Sequence, residues 1–172
     1  MSDSDTSFDD TSFENMPDSE KTYEICLENV KGWGIHIEFV PEEFKTYELC
    51  LIAVSQHGNA IGFVPKKHRT YEMYFKSVQS GGCLSDVPKK FKTYELCLKA
   101  VQDASDALKY VPEKHKTKEL CLEAVKYSGY ALEFVPEEFK DYELCLEATL
   151  NNGAYRAFKF IPKKLKTSEF YL

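Results

Sequence analysis

The chain has 172 residues, 43% of them hydrophobic, with 28 acidic against 22 basic side chains and a formal net charge of −6. That length allows one ordinary domain with a real core, and no run approaches the ~18 apolar residues that a membrane-spanning helix needs. The opening Met-Ser-Asp-Ser-Asp shows neither a basic n-region nor an apolar h-region, so no secretory leader is expected and the cytoplasm is the expected compartment.

Residues 1–20 carry Asp3, Asp5, Asp9, Asp10, Glu14, Asp18 and Glu20 and no Lys or Arg. Such a composition predicts a disordered acidic tail, which holds the whole charge imbalance, since the remaining 21 acids nearly match 22 bases. Phe8, Phe13 and Met16 punctuate the acids as in short linear binding segments. On this reading the tail is chiefly a solvating one, and its removal is expected to leave the fold intact.

From Lys21 onward one unit recurs, aligned on Thr22, Thr46, Thr70, Thr93, Thr117, Asp141 and Thr167 in steps of 24, 24, 23, 24, 24 and 26 residues. A fixed period of this size signals an array whose members cannot bury an apolar face alone. Thr is the expected helix N-cap, and the glutamate two residues on (Glu24, Glu48, Glu72, Glu95, Glu119, Glu143, Glu169) meets the positive end of the helix dipole. The pattern Tyr-x-Leu-Cys-Leu-x-Ala-Val sweeps an apolar arc of about 200°, wide enough to touch a helix on either side and a layer beneath. Gly58, Gly81, Gly129 and Gly153 are expected to end helices as left-handed caps, followed by a second short helix, Pro and a turn. The predicted fold is therefore all-α: an α-solenoid of about six tandem 24-residue helix-turn-short-helix repeats over 21–172, closed by a truncated seventh.

Individual copies depart from the unit. Repeat 1 holds the only tryptophan, Trp33, at the helix junction, expected to cover the open end of the array and otherwise an exposed anchor. Repeat 2 replaces a surface Glu with Ile52 and places His57 before its glycine. Repeat 3 substitutes Tyr74, Phe75 and Ser77, lacks one residue, and puts Asp86 where others have Phe, so its second segment should loop outward rather than bury a carboxylate. Repeats 4 and 5 are regular, and repeat 6 has Asp141 as its cap, Thr149 in the Val slot and two extra residues near Ala154. Five of the six cysteines (Cys26, Cys50, Cys97, Cys121, Cys145) share one position in the apolar arc and are expected to be buried free thiols, with Cys83 off register.

The pair after each proline varies most: Glu42-Glu43, Lys66-Lys67, Lys89-Lys90, Glu113-Lys114, Glu137-Glu138, Lys163-Lys164. Lys66, Lys67, Lys89 and Lys90, with Ile52 and His57 nearby and Trp33 as a separate anchor, are the candidate partner-binding residues. Such a basic edge could receive phosphates, an acidic protein or the chain's own tail. The unit Lys-Thr-x-Glu-Leu-Cys-Leu-x-Ala-Val-x-x-x-Gly-x-Ala-Leu-x-x-Val-Pro, closest at Lys116 to Val135, resembles a bacterial helical-repeat family of unknown function. That resemblance implies a small solenoid of the effector-like or toxin-associated kind without catalysis. An independent search finds no G-x-S-x-G, phosphate loop, H-E-x-x-H or C-x-x-C, so no enzyme, cofactor or metal is expected. The leading expectation is a protein-binding scaffold (inhibitor, immunity protein or adaptor, delivered into a host cell if an effector). The alternatives are a nucleic-acid binder using the basic edge, and self-association through the C-terminal repeat.

Overall fold

The computed structural model describes residues 13–104, 106–150 and 154–166. Thr167, Glu169 and the start of the seventh helix lie outside them, as do Phe8, Gly153 and residues 1–12 of the acidic tail. The chain forms two compact units, 1–82 and 83–172. In the first, α1 (Tyr23–Gly32), α2 (Tyr47–Gln56) and α3 (Tyr71–Gln79) stack in sequence order. In the second, α4 (Tyr94–Asp103), α5 (Lys118–Tyr127), α6 (Tyr142–Leu150) and the short α7 (Ala154–Ala157) do the same. Each unit is a stack of helical repeats, an α-solenoid arrangement.

Why each long helix starts where it does is plain from its cap. Thr22, Thr46, Thr70, Thr93 and Thr117 accept through Oγ1 from the backbone N–H three residues on at 3.2–3.3 Å, and Asp141 does so through Oδ1 at 3.0 Å. Losing such a cap costs about 1 kcal/mol. Behind it, Leu, Cys, Ala and Val at the third, fourth, seventh and eighth positions are buried in α2, α4 and α5 (Leu49, Cys50, Ala53, Val54; Leu96, Cys97, Ala100, Val101; Leu120, Cys121, Ala124, Val125). The fully buried arc is thus about 140°, narrower than expected. The first-turn Tyr lies at its margin, half-buried or exposed, and turns its ring edge toward the aromatic of the following turn: Tyr23 on Phe44, Tyr47 on His68, Tyr94 on His115. Adjacent repeats are also tied through the first turn, where Tyr47 Oη donates to Glu72 at 2.9 Å and Lys118 Nζ pairs with Asp141 and Glu143.

The second segment is the short helix expected there, of the 3-10 type (Gly34–Phe39, Gly58–Phe63, Ala107–Tyr110, Gly129–Phe134), and a further 3-10 turn follows each proline. There the N–H of the third residue after Pro bonds back to the Pro carbonyl at 2.8–3.0 Å, as in Phe44 to Pro41 and His115 to Pro112. In repeat 3 the segment shrinks to Leu84–Asp86, with the Asp86 carboxylate exposed.

The glycines correct the expectation of left-handed caps. Only Gly81 has a positive φ among the described residues, at 81°. It ends α3 in a Schellman motif, with Gly82 N–H bonded to Ser77 O at 2.8 Å and Gly81 N–H to Val78 O at 3.2 Å. Elsewhere the helix ends in extended backbone, at His57 and Ser128 for example, and glycine opens the 3-10 segment. Its role is close approach: a Cβ on Gly34, Gly58 or Gly129 would overlap the carbonyl of Ala53, Ser77 or Ala148 in the next repeat's helix. Ser77, in the slot that is Ala in repeats 2, 4, 5 and 6, uses the same contact by donating from Oγ to Gly58 O at 2.8 Å.

The acidic segment is not a tail as far as residue 20. Phe13 is 1% exposed, its ring centroid 5.7 Å from that of His36 and 5.3 Å from Lys21 Nζ. Pro17, Asp18 and Glu20 form the same 3-10 turn that follows every other repeat's proline, with Glu20 N–H bonded to Pro17 O at 3.0 Å. Phe13 precedes its proline by the four residues that separate Ile37 from Pro41 and Ile61 from Pro65. Residues 13–20 are the second half of a repeat, and they cover the core of repeat 1. Trp33, expected in that role, is 62% exposed.

Two expected outcomes follow from these contacts. Gly129→Ala should lower stability by about 1–3 kcal/mol in a thermal melt because its new methyl meets a backbone carbonyl, whereas Gly62→Ala, which faces open space, should be neutral or slightly stabilising. Phe13→Ala should cost about 3 kcal/mol in chemical denaturation, a loss that a solvated tail would not produce.

Candidate functional site

The residue just before each capping Thr is basic, and its side chain is drawn inward. Lys21, Lys45, Lys92 and Lys140 are all buried. Four of these bases are neutralised locally by the acid three residues earlier, at the first position after the proline: Lys21 with Asp18 at 3.0 Å, Lys45 with Glu42 at 2.9 Å, Lys116 with Glu113 at 2.7 Å and Lys140 with Glu137 at 2.6 Å. Lys21 also donates to Phe39 O at 2.8 Å. The variable charged pair therefore has a structural meaning: its first member decides whether the inner base has a counter-ion.

Three turns carry a lysine in place of that acid: Lys66 before Arg69, Lys89 before Lys92 and Lys163 before Lys166. Where Lys66 replaces the acid, Arg69 instead donates to the carbonyls of Val64 and Gly62 at 2.7 and 2.8 Å. Where Lys89 replaces it, Lys92 donates to Tyr110 O at 3.1 Å, and among the described residues no carboxylate pairs with it. Burial, the largest cause, holds the Lys92 ammonium below its ordinary pKa; Lys89 adds to the depression, while Cys97 and Asp86 oppose it.

Around Lys92 the second unit opens into a hollow of about 680 Å³. Lys89, Lys90, Lys109 and Lys114 stand with Lys92 in its walls, together with Tyr110 and Glu113. Lys109 and Lys92 place Nζ 5.4 and 5.8 Å from the Tyr110 ring centroid, and Lys90 lies 4.6 Å from that of Phe91. The single lining carboxylate, Glu113, is engaged by Lys116.

A second hollow, of about 740 Å³, lies between repeats 5 and 6 and is lined by Tyr130, Glu133, Tyr155, Arg156, Phe158 and Phe160 with Lys159. Tyr130 meets Phe134 edge-on at 5.7 Å, and the Arg156 guanidinium lies 5.8 Å from the Tyr130 centroid. Tyr155 is 92% exposed. Trp33 borders a shallower recess with Glu28, Asn29 and Gly32.

Of the residues singled out in the sequence, Lys89 and Lys90 enter the lysine hollow. Lys66 and Lys67 are exposed on the corresponding turn of the first unit, which also holds half-buried Ile52 on α2, exposed His57 at its C-terminal end, and Trp33. Lys109 and the aromatic hollow escaped the sequence reading. The signals were present: Lys109 occupies the slot of Glu38 and Glu133, and the extra residues of repeat 6 precede Tyr155 and Arg156.

All five in-register cysteines are buried and free, and Cys83 is exposed. Burial raises Cys26 and pushes Cys50, Cys97, Cys121 and Cys145 up to about 11, so these thiols stay protonated and behave as small apolar side chains. Among the described residues no group of three His, Cys, Asp or Glu side chains converges as a metal site would need, and no helix is long and apolar enough to cross a membrane.

The fold and these surfaces define an all-α helical-repeat protein. More specifically, residues 22–69 and 117–166, over half the chain, match the family described as Domain of unknown function (DUF4116), and the chain belongs to it. No curated protein and no solved structure matches the chain. The two matched stretches are repeats 1–2 and 5–6, and the lysine hollow falls between them.

The thiol arrangement sets a pH dependence. Because the folded pKa values lie above the ordinary value of 9.0, the thiols' contribution is fully present below about pH 9 and is lost as pH rises to about 11. The melting temperature should fall through that window, less steeply in a Cys97→Ala, Cys121→Ala variant. A chromogenic thiol reagent at pH 8 should titrate Cys83 at once and the other five only after denaturation.

Proposed function

We propose that the chain is a non-enzymatic, protein-binding repeat scaffold of the inhibitor, immunity or effector-adaptor kind. It works in the cytoplasm of its own cell or, as an effector, of a host cell. The observation that carries this reading is the aromatic hollow of repeats 5 and 6. Tyr and Arg are the side chains that dominate binding energy at protein interfaces, and here Tyr155 and Arg156 stand beside a concavity floored by further rings. A ring as exposed as Tyr155 adds little to folding, so its apolar surface is available to a partner. The basic Arg156 and Lys159 favour a protruding apolar side chain flanked by carboxylates.

The test uses a partner recovered from the native cell after nuclease treatment. Tyr155→Ala with Arg156→Ala should weaken its binding at least about tenfold, the effect of losing one interface anchor, with the melting temperature unchanged. A partner bound equally well by that variant and lost in Trp33→Ala would move the site to repeat 1. The nucleic-acid reading has its own support in the five lysines of the other hollow. It predicts capture that nuclease abolishes and an affinity that falls steeply with salt.

A further inference from the structure

The lysine hollow stands apart from the aromatic surface and needs its own explanation. Five lysines line one concavity, and the one carboxylate among its described lining residues, Glu113, is already paired with Lys116. The fold has a local remedy for an inner lysine, an acid three residues before it, and uses it at Lys21, Lys45, Lys116 and Lys140. At Lys92 that acid is replaced by Lys89, so the position that cancels the charge at those four lysines here doubles it. Lys109 adds to the same imbalance from the 3-10 segment of repeat 4, in a slot that carries Glu in repeats 1 and 5. Three separate stretches, 89–92, 109–110 and 114, thus line one hollow with lysines, of which Lys92 is held by the Tyr110 carbonyl, and among the described residues no carboxylate pairs with any of the five.

We propose that this hollow binds a small polyphosphate, a compact anion bearing two or more phosphoryl groups. Three observations select that chemistry. Lysine ammonium groups are point-charge donors suited to phosphate oxygens. Several lie around one hollow rather than along a line, which fits clustered charges better than the spaced charges of a nucleic-acid backbone. A space of about 680 Å³ is within the range of small-ligand sites, roughly 300–1,000 Å³. Lys92, at 9% exposure, is held by its Tyr110 bond and packing, while the exposed lysines around it can close on the anion.

The experiment is calorimetric titration of the full chain with inorganic tripolyphosphate as probe, at low and at physiological salt. One ion per chain should bind. Lys89→Glu restores the pair that the sister repeats use; it should weaken binding at least tenfold while keeping or raising the melting temperature. Lys163→Glu makes the same charge change in the turn of repeat 6 and should leave affinity within about twofold, since more distant exposed charges are largely screened. Where Lys89→Glu disturbs folding, Lys109→Gln at its exposed position repeats the test and should also weaken binding. Absence of heat at millimolar tripolyphosphate overturns the proposal, as does equal weakening by Lys163→Glu, which would mark diffuse attraction. An oligonucleotide that binds more tightly than tripolyphosphate and depends equally on Lys89 would overturn it in favour of a nucleic-acid surface.

Discussion

Helices α2, α3 and α6, nine or ten residues long, depend on the close approach of the segment before each of them. A helix of that length is marginal alone in water, so its stability has to come from contact. The contact is made backbone to backbone, where Gly34, Gly58 and Gly129 let a 3-10 segment come against the carbonyl near the end of the next helix. That approach fixes how near successive repeats lie, and the nearness selects small residues on the facing side: Ala53, Ser77 and Ala148. Cys at the fourth helical position follows the same logic, being small, apolar when protonated, and wholly enclosed.

With spacing set by backbone, the remaining side chains are released for other duties. The margin of the buried arc carries Tyr and Leu that pack only in part, and the turn after each proline can vary because its own hydrogen bond closes on the proline carbonyl. Variation there is still felt inside, through the lysine three residues on. An acid makes the inner base neutral overall, and a lysine leaves it seeking carbonyls or an external anion. One structural position therefore sets the local charge of each repeat without altering its path, which is how a regular array comes to hold distinct surfaces.

Much of the architecture was legible because it depends on type and period: the threonine caps, the buried Leu, Cys, Ala and Val, and the outward turn of Asp86 in the short repeat. What was misread depends on geometry that a period does not express. Glycine at a helix end is compatible both with a left-handed cap and with a tight contact, and only Gly81 turned out to be the former. Phe13 was hidden by its acidic surroundings, although its four-residue spacing from Pro17 matches the array. The lysine hollow was half seen, since Lys89 and Lys90 lie in the turn while Lys109 belongs to another segment and joins them only on folding.

The half-repeat at residues 13–20 shows that the structural unit is out of phase with the motif that begins at the capping threonine. Before the first capped helix stands the trailing half of a repeat, with its buried ring, proline turn and Asp18–Lys21 pair. Inserting or excising one whole period at an interior proline turn would thus leave the first capped helix with the same covering. A gene encoding such a chain can lengthen or shorten by recombination between its own copies while the first capped helix keeps its cover, and length becomes a heritable variable that selection can tune separately from stability.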